Sequence, residues 1–112
     1  PFEPRPAGHF LYGPYFSLPE YGAGQYRVFW EMKVDDNTRD VDVAIIDIFS
    51  LQPAAKSYGQ KAIKARDFYN PNAVQQFTLD FVVTEPSLKY EFRVLYTGNV
   101  KLTVEKIGFQ KL

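Results

Sequence analysis

Between Tyr26 and Val34 the sequence alternates with a period of two. Tyr26, Val28, Trp30, Met32 and Val34 are apolar, and Arg27, Glu31 and Lys33 stand between them, with Phe29 as the exception. Successive side chains of an extended chain point to opposite faces, so this spacing predicts a strand with one buried and one wetter face. A helix would scatter the same apolar residues around its axis. The period recurs in Phe77, Leu79 and Phe81 against Thr78 and Asp80, within a strand predicted from Val74 to Val83. It recurs again in Tyr90, Phe92, Val94 and Tyr96 against Lys89, Glu91, Arg93 and Leu95. Val41 to Phe49 carries aliphatic side chains on both faces, with Ala44, Ile46 and Ile48 on one and Val43, Ile45 and Asp47 on the other, which suits a central strand. Val100, Leu102 and Val104 form a last strand, and Ile107 and Phe109 continue it past a bulge predicted at Glu105-Lys106. No stretch has apolar spacing of three and four over a helical length.

The breaks between these runs are turn chemistry. Residues 19–24, Asp35 to Asp40 and Thr97-Gly98-Asn99 are rich in Pro, Gly, Asp and Asn. His9 to Leu18 is a ring-rich stretch interrupted by Gly13-Pro14, which predicts a bulge or kink on an edge strand. Gln52 to Asn72 reads as an irregular connection with a short strand over Ala62 to Phe68. Six to eight strands and no helix define a sandwich or barrel, and 112 residues favour an all-β, two-sheet antiparallel β-sandwich of the jelly-roll kind. Residues 1–7, with three prolines, read as a linker or leader, and residues 8–112 as the sandwich. The start at Pro1 without Met reads as an excised piece of a longer chain.

Several function classes are excluded at this level. Thirteen basic and thirteen acidic residues balance, so no basic face for nucleic acid stands out. No Cys is present, and His9 is the only histidine, which removes thiol catalysis, Cys-based zinc and histidine-rich metal sites. No nucleophile elbow or phosphate-cradling glycine loop occurs. No apolar run reaches the ~20 residues of a membrane span. The chain therefore reads as a binding protein rather than an enzyme. Ten Phe, eight Tyr and one Trp are the unusual feature of the composition. Rings can fill a small core, and they can offer flat surfaces to a ligand.

The order of motifs carries a resemblance. Gly13-Pro14-Tyr15-Phe16-Ser17-Leu18-Pro19 is followed by Gly24-Gln25-Tyr26-Arg27-Val28, then Val43-Ala44-Ile45-Ile46-Asp47-Ile48 and Arg66-Asp67-Phe68. Phe77-Thr78-Leu79-Asp80-Phe81 and Tyr90-Glu91-Phe92-Arg93-Val94 follow, with Gly98 before the last strand. From about Gly8 to Phe109 this resembles the galactose-binding-like jelly-roll domains, including the carbohydrate-binding modules of glycoside hydrolases and glycosyltransferases. The resemblance implies two antiparallel sheets, frequently a structural calcium ion, and sugar binding at the loop edge or on the concave sheet. It also implies an oligo- or polysaccharide ligand, the catalytic domain of a parent chain as partner, and an extracellular or cell-envelope setting.

Sugar binding needs an aromatic ring to meet the C–H face of a pyranose, with planar polar side chains beside it for the hydroxyls. Three clusters combine these groups. The first is the long connection: Tyr58, Gln60, Arg66, Asp67, Tyr69 and Asn70. The second is the N-terminal segment with Phe10, Tyr12 and Tyr15. The third is an outward row of Phe29, Glu31, Asp47, Glu91 and Arg93, which would line one face if their strands are neighbours. Each has a plainer reading: rings packed over the sandwich edge, or Arg93 paired across strands with Glu91 or Asp47. Trp30 reads as core. Asp35, Asp36, Asn37, Asp40 and Asp42 crowd one turn and could ligate calcium, but they read more simply as a solvated hairpin tip. Two alternatives to a carbohydrate-binding module stand beside it. One is a structural or protein-interaction sandwich, favoured if Tyr12, Tyr15, Tyr58 and Tyr69 are all covered. The other is a glycosidase, which would require Glu31, Asp47 and Glu91 to converge.

Overall fold

A computed structural model describes residues 21–51 and 54–112, together with the backbone of residues 9–17. Seven strands are described: β1 (His9–Ser17), β2 (Gly24–Val34), β3 (Asp42–Ser50), β4 (Lys56–Lys64), β5 (Gln75–Val83), β6 (Lys89–Tyr96) and β7 (Leu102–Lys111). They form a four-stranded sheet in the order β1-β6-β3-β4 and a three-stranded sheet in the order β5-β2-β7. Every described pairing is antiparallel. The expected two-sheet β-sandwich is what the chain forms.

The alternation decides what lies between the sheets. Tyr26, Val28, Trp30, Met32 and Val34 of β2 are all buried, as are Ala44, Ile46 and Ile48 of β3 and Tyr90, Phe92, Val94 and Tyr96 of β6. Rings supply much of the contact. Phe92 lies 6.5 Å from Trp30, 6.4 Å from Phe81 and 6.0 Å from Phe109, which ties β6, a central strand of one sheet, to all three strands of the other. These pairs are edge-on, the geometry that sets the positive ring rim against the negative face. Among the described residues most rings lie in the core or pack against it.

The bulge expected near Glu105-Lys106 is present. The register of β2 on β7 shifts between Glu31, opposite Lys106, and Met32, opposite Val104, leaving Glu105 as the extra residue. A second shift lies between Tyr12 and Tyr15 of β1, across the Gly13-Pro14 break. Gly98, in the turn before β7, adopts φ of 86°, where a side chain would be strained.

The expectation for residues 52–72 needs correction. β4 occupies Lys56–Lys64, earlier than the short strand predicted over Ala62 to Phe68, and Ala65–Asp67 form a 3-10 turn. The reason is that β4 is an edge strand, wet along most of its length, with Ile63 its one buried side chain. A strand that buries so little leaves no period-two trace in its sequence.

Candidate functional site

The connection from β4 to β5 presents the most accessible ring among the described residues. Ala65 is buried, and its N–H donates to the carbonyl of Val41 at 3.0 Å, which pins the 3-10 turn to the start of β3. Asp67 closes that turn by accepting the Lys64 backbone N–H at 2.8 Å. Phe68 then turns inward and meets Phe77 at 4.8 Å between ring centroids. Phe68 is extended, with φ of −87° and ψ of 130°, so the next side chain must face the other way. Tyr69 accordingly stands out in solvent, 86% exposed.

The ring is exposed, but its backbone is held. Gln75 accepts the Tyr69 N–H at 2.9 Å through its carbonyl oxygen and donates to the Asp67 carbonyl at 2.8 Å through its amide nitrogen. One planar amide therefore satisfies both sides of the turn. Further on, Asn72 sits at φ of 57° and donates its N–H to the carbonyl of Val34 at 2.6 Å. Ordering a platform before a ligand arrives lowers the entropy lost on binding. Replacing Gln75 by alanine is expected to remove about 1 kcal/mol of loop stability. Amide hydrogen exchange at Tyr69 should then accelerate at least about fivefold while the β2 amides stay protected.

Beside Tyr69 runs a groove of about 330 Å³ between the edges of the two sheets. Lys61 of β4 borders one side, Gln76 and Thr78 of β5 border the other, and Phe77 lies between them. Gln76 reaches across to Glu31 at 3.4 Å. An ammonium, an amide and a hydroxyl around one flat ring are what a pyranose needs: a face for its C–H bonds, and donors and acceptors for its hydroxyls.

The other expected residues fall in three places. Asp67 and Tyr69 come together at this groove, with Asn70 exposed next to them. Arg66 turns away to pair with Asp40 at 3.4 Å, beside the Lys64–Asp40 pair at 3.0 Å. The Lys64 ammonium holds the Asp40 carboxyl below its ordinary pKa. Tyr58 does not join Tyr69. Its ring packs inward, 5.4 Å from Tyr90 and 6.2 Å from Phe81.

Gln60, Asp47 and Arg93 share the outer face of the four-stranded sheet. Gln60 is the register partner of Asp47, and Asp47 that of Arg93. Arg93 grips Asp47 with two hydrogen bonds, at 2.8 and 2.6 Å, and its guanidinium lies 3.9 Å from the centre of the Phe49 ring. The plainer reading of this pair, cross-strand ion pairing, is the observed one. One face of Phe49 is covered by the guanidinium, so the cluster offers a sugar less there than the rim does. Tyr12 and Tyr15 are the backbone partners of Arg93 and Glu91, and their side chains, with Phe10, lie outside the described residues.

The outward row expected from Phe29 to Arg93 is divided. Phe29 and Glu31 belong to the three-stranded sheet, and Asp47, Glu91 and Arg93 to the four-stranded one. Glu31 therefore lies on the opposite outer surface of the sandwich from Asp47 and Glu91, and the three carboxylates do not converge for glycoside cleavage.

The acidic turn of Asp35, Asp36, Asn37, Asp40 and Asp42 does not form a calcium site. Asp36 accepts hydrogen bonds from the Thr38 amide and hydroxyl at 2.8 and 2.7 Å, Asp40 faces Lys64 and Arg66, and Asn37 donates to the Phe68 carbonyl. Among the described residues no three acidic or histidine side chains gather where a metal could sit.

Sequence reasoning missed Gln75, Gln76, Lys61 and Thr78. The adjacent glutamines opening a strand whose inward residues are apolar were the available signal. Lys61 carried none, because its strand was not recognised.

The fold is a two-sheet β-sandwich like that of carbohydrate-binding modules. Among solved structures the chain resembles a carbohydrate binding module, CBM6cm-2, from Cellvibrio mixtus lichenase 5A in complex with cellotriose, with a TM-score of 0.61, 15% identity, and 95% of this chain covering 72% of that one. It also resembles the C-terminal CBM6 of LamC, a laminarinase from Zobellia galactanivorans, with a TM-score of 0.60, 11% identity, and 94% of this chain covering 74% of that one. At these identities the likeness is one of fold. Compared by sequence, the chain matches no family profile and no curated protein.

Proposed function

We propose that this chain is a non-catalytic carbohydrate-binding module that holds a parent carbohydrate-active enzyme, outside the cell or at its envelope, close to a glycan. The observation that carries this is Tyr69, a ring 86% exposed on a backbone clamped by Gln75, beside a groove of hydrogen-bonding side chains. Tyr69 is not buried within this chain, so the structural alternative would require a second chain to cover it. The structural neighbour solved with cellotriose supports a sugar as the ligand class. A single shallow site suits affinities from millimolar to micromolar, about −4 to −8 kcal/mol. Tethering to a catalytic domain offsets that weakness by raising the local concentration of the module at the glycan.

The test is a glycan array with calorimetry on the hits, including cellotriose. At least one neutral glycan should bind the unaltered chain. Tyr69→Ala should weaken that binding tenfold or more, about 1.4 kcal/mol, with the melting temperature unchanged. Absence of binding to every glycan, or full affinity in the Tyr69 variant, would refute the proposal.

A further inference from the structure

Phe29 is the one aromatic side chain on the solvent face of the central strand β2. Its register partner on β7 is Gly108, and its partner on β5 is Thr78. A Cβ added to Gly108 would stand 2.5 Å from Phe29 Cζ and 2.9 Å from Cε2. The bare Gly108 backbone lets the ring lean over β7 and lie on it, and a side chain there would force the ring to shift. One face of the ring lies toward the sheet, and the Lys106 ammonium stands over the ring 5.7 Å from its centre. The charges flanking it are partly matched: Arg27 holds Asp80 with two bonds at 2.8 and 3.0 Å, and Glu31 takes the Gln76 amide.

Thr78 links this ring to the rim. It borders the groove beside Tyr69, and it stands directly opposite Phe29 across the β2–β5 ladder. Gln76, two residues nearer Tyr69, lies about 7 Å along the same strand edge. The polar path from Tyr69 therefore runs over Gln76 and Thr78, crosses to β2 in one more strand spacing, about 5 Å, and reaches the Phe29 ring over Gly108 after about another 5 Å.

Resting on the carbohydrate reading of the rim, we propose that the site takes a neutral, linear glycan chain laid from Tyr69 across Thr78 to Phe29, not a single terminal sugar. Tyr69 is the anchoring ring and Phe29 the distal one. Gly108 is what keeps the distal ring flat.

The experiment is calorimetry with two ladders, cello-oligosaccharides and laminari-oligosaccharides, each from dimer to hexamer. Affinity of the unaltered chain should climb at least about tenfold along one ladder. Phe29→Ala should cancel that climb and leave dimer binding as it was, whereas Tyr69→Ala should weaken every rung. Gly108→Ala keeps the ring and pushes it off the sheet, so it should reproduce most of the Phe29 effect, with circular dichroism confirming an intact fold in each variant. Equal affinity for dimer and hexamer, a Phe29 variant indistinguishable from the unaltered chain on the hexamer, or binding of acidic glycans alone would overturn the extended site while leaving the rim in place. Failure to bind any glycan would instead remove the rim reading itself.

Discussion

Asp47→Ala is expected to lower the unfolding free energy by about 3–5 kcal/mol, measured by urea denaturation. The size follows from what is left behind. The Asp47 and Arg93 side chains are 6% and 14% exposed, so the guanidinium would lose both of its carboxylate bonds in a place where water reaches it poorly. Removing one partner of a buried pair leaves the other charge less compensated than before, and the penalty for that exceeds the net worth of the intact pair. Replacing both residues with leucine should recover part of the loss, since neither charge of the pair then remains to be compensated. A single-variant cost below about 1 kcal/mol would show that water screens this pair as it screens surface pairs.

Trp30→Ala is expected to cost a similar amount, about 3–5 kcal/mol. Trp30 is completely buried at the centre of β2, and its ring meets Phe92 edge-on. Truncation leaves a cavity in close-packed surroundings that can collapse only in part. Trp30→Phe should be milder, below about 2 kcal/mol, for a specific reason. Among the described residues the Trp30 indole nitrogen is the one buried side-chain donor without a partner. Phenylalanine removes that unsatisfied N–H, worth about 1–3 kcal/mol, and so offsets part of the volume lost. Equal destabilisation by alanine and phenylalanine would mean that the N–H has a partner in solution.

The contrast between these two positions and the rim explains what could be read from the sequence. β2, β5, β6 and β7 were legible because each buries one face, and burial imposes the period of two. Even the bulge at Glu105 left a trace, as a break in phase between Val104 and Ile107. β4 was illegible because it is an edge strand with wet side chains, and its solvent exposure removes the constraint that makes a pattern. The same logic applies to function. Tyr69 and Asp67 could be named because a ring and a carboxylate in a long connection are visible in one dimension. Lys61, Gln76 and Thr78 reach them only through the pairing of edges far apart in the chain. The row that joined Phe29 to Arg93 failed because period two gives the face of a strand but not the sheet to which it belongs.

Calcium illustrates a related limit. Five oxygen-bearing side chains within one turn satisfy the composition of a calcium site, yet a site also needs them to point at one place. In this fold Asp36 turns back to Thr38, and Asp40 turns outward to Lys64 and Arg66.

Amide chemical shifts recorded during titration with a glycan taken from the array would locate the ligand directly. If a sugar rests on the ring that the Gln75 clamp presents, the largest changes will fall at Tyr69, Gln75, Gln76 and Thr78, with Asp47, Arg93 and Leu95 still. Changes concentrated on the outer face of the four-stranded sheet, with Tyr69 unmoved, would place the ligand elsewhere and contradict the account.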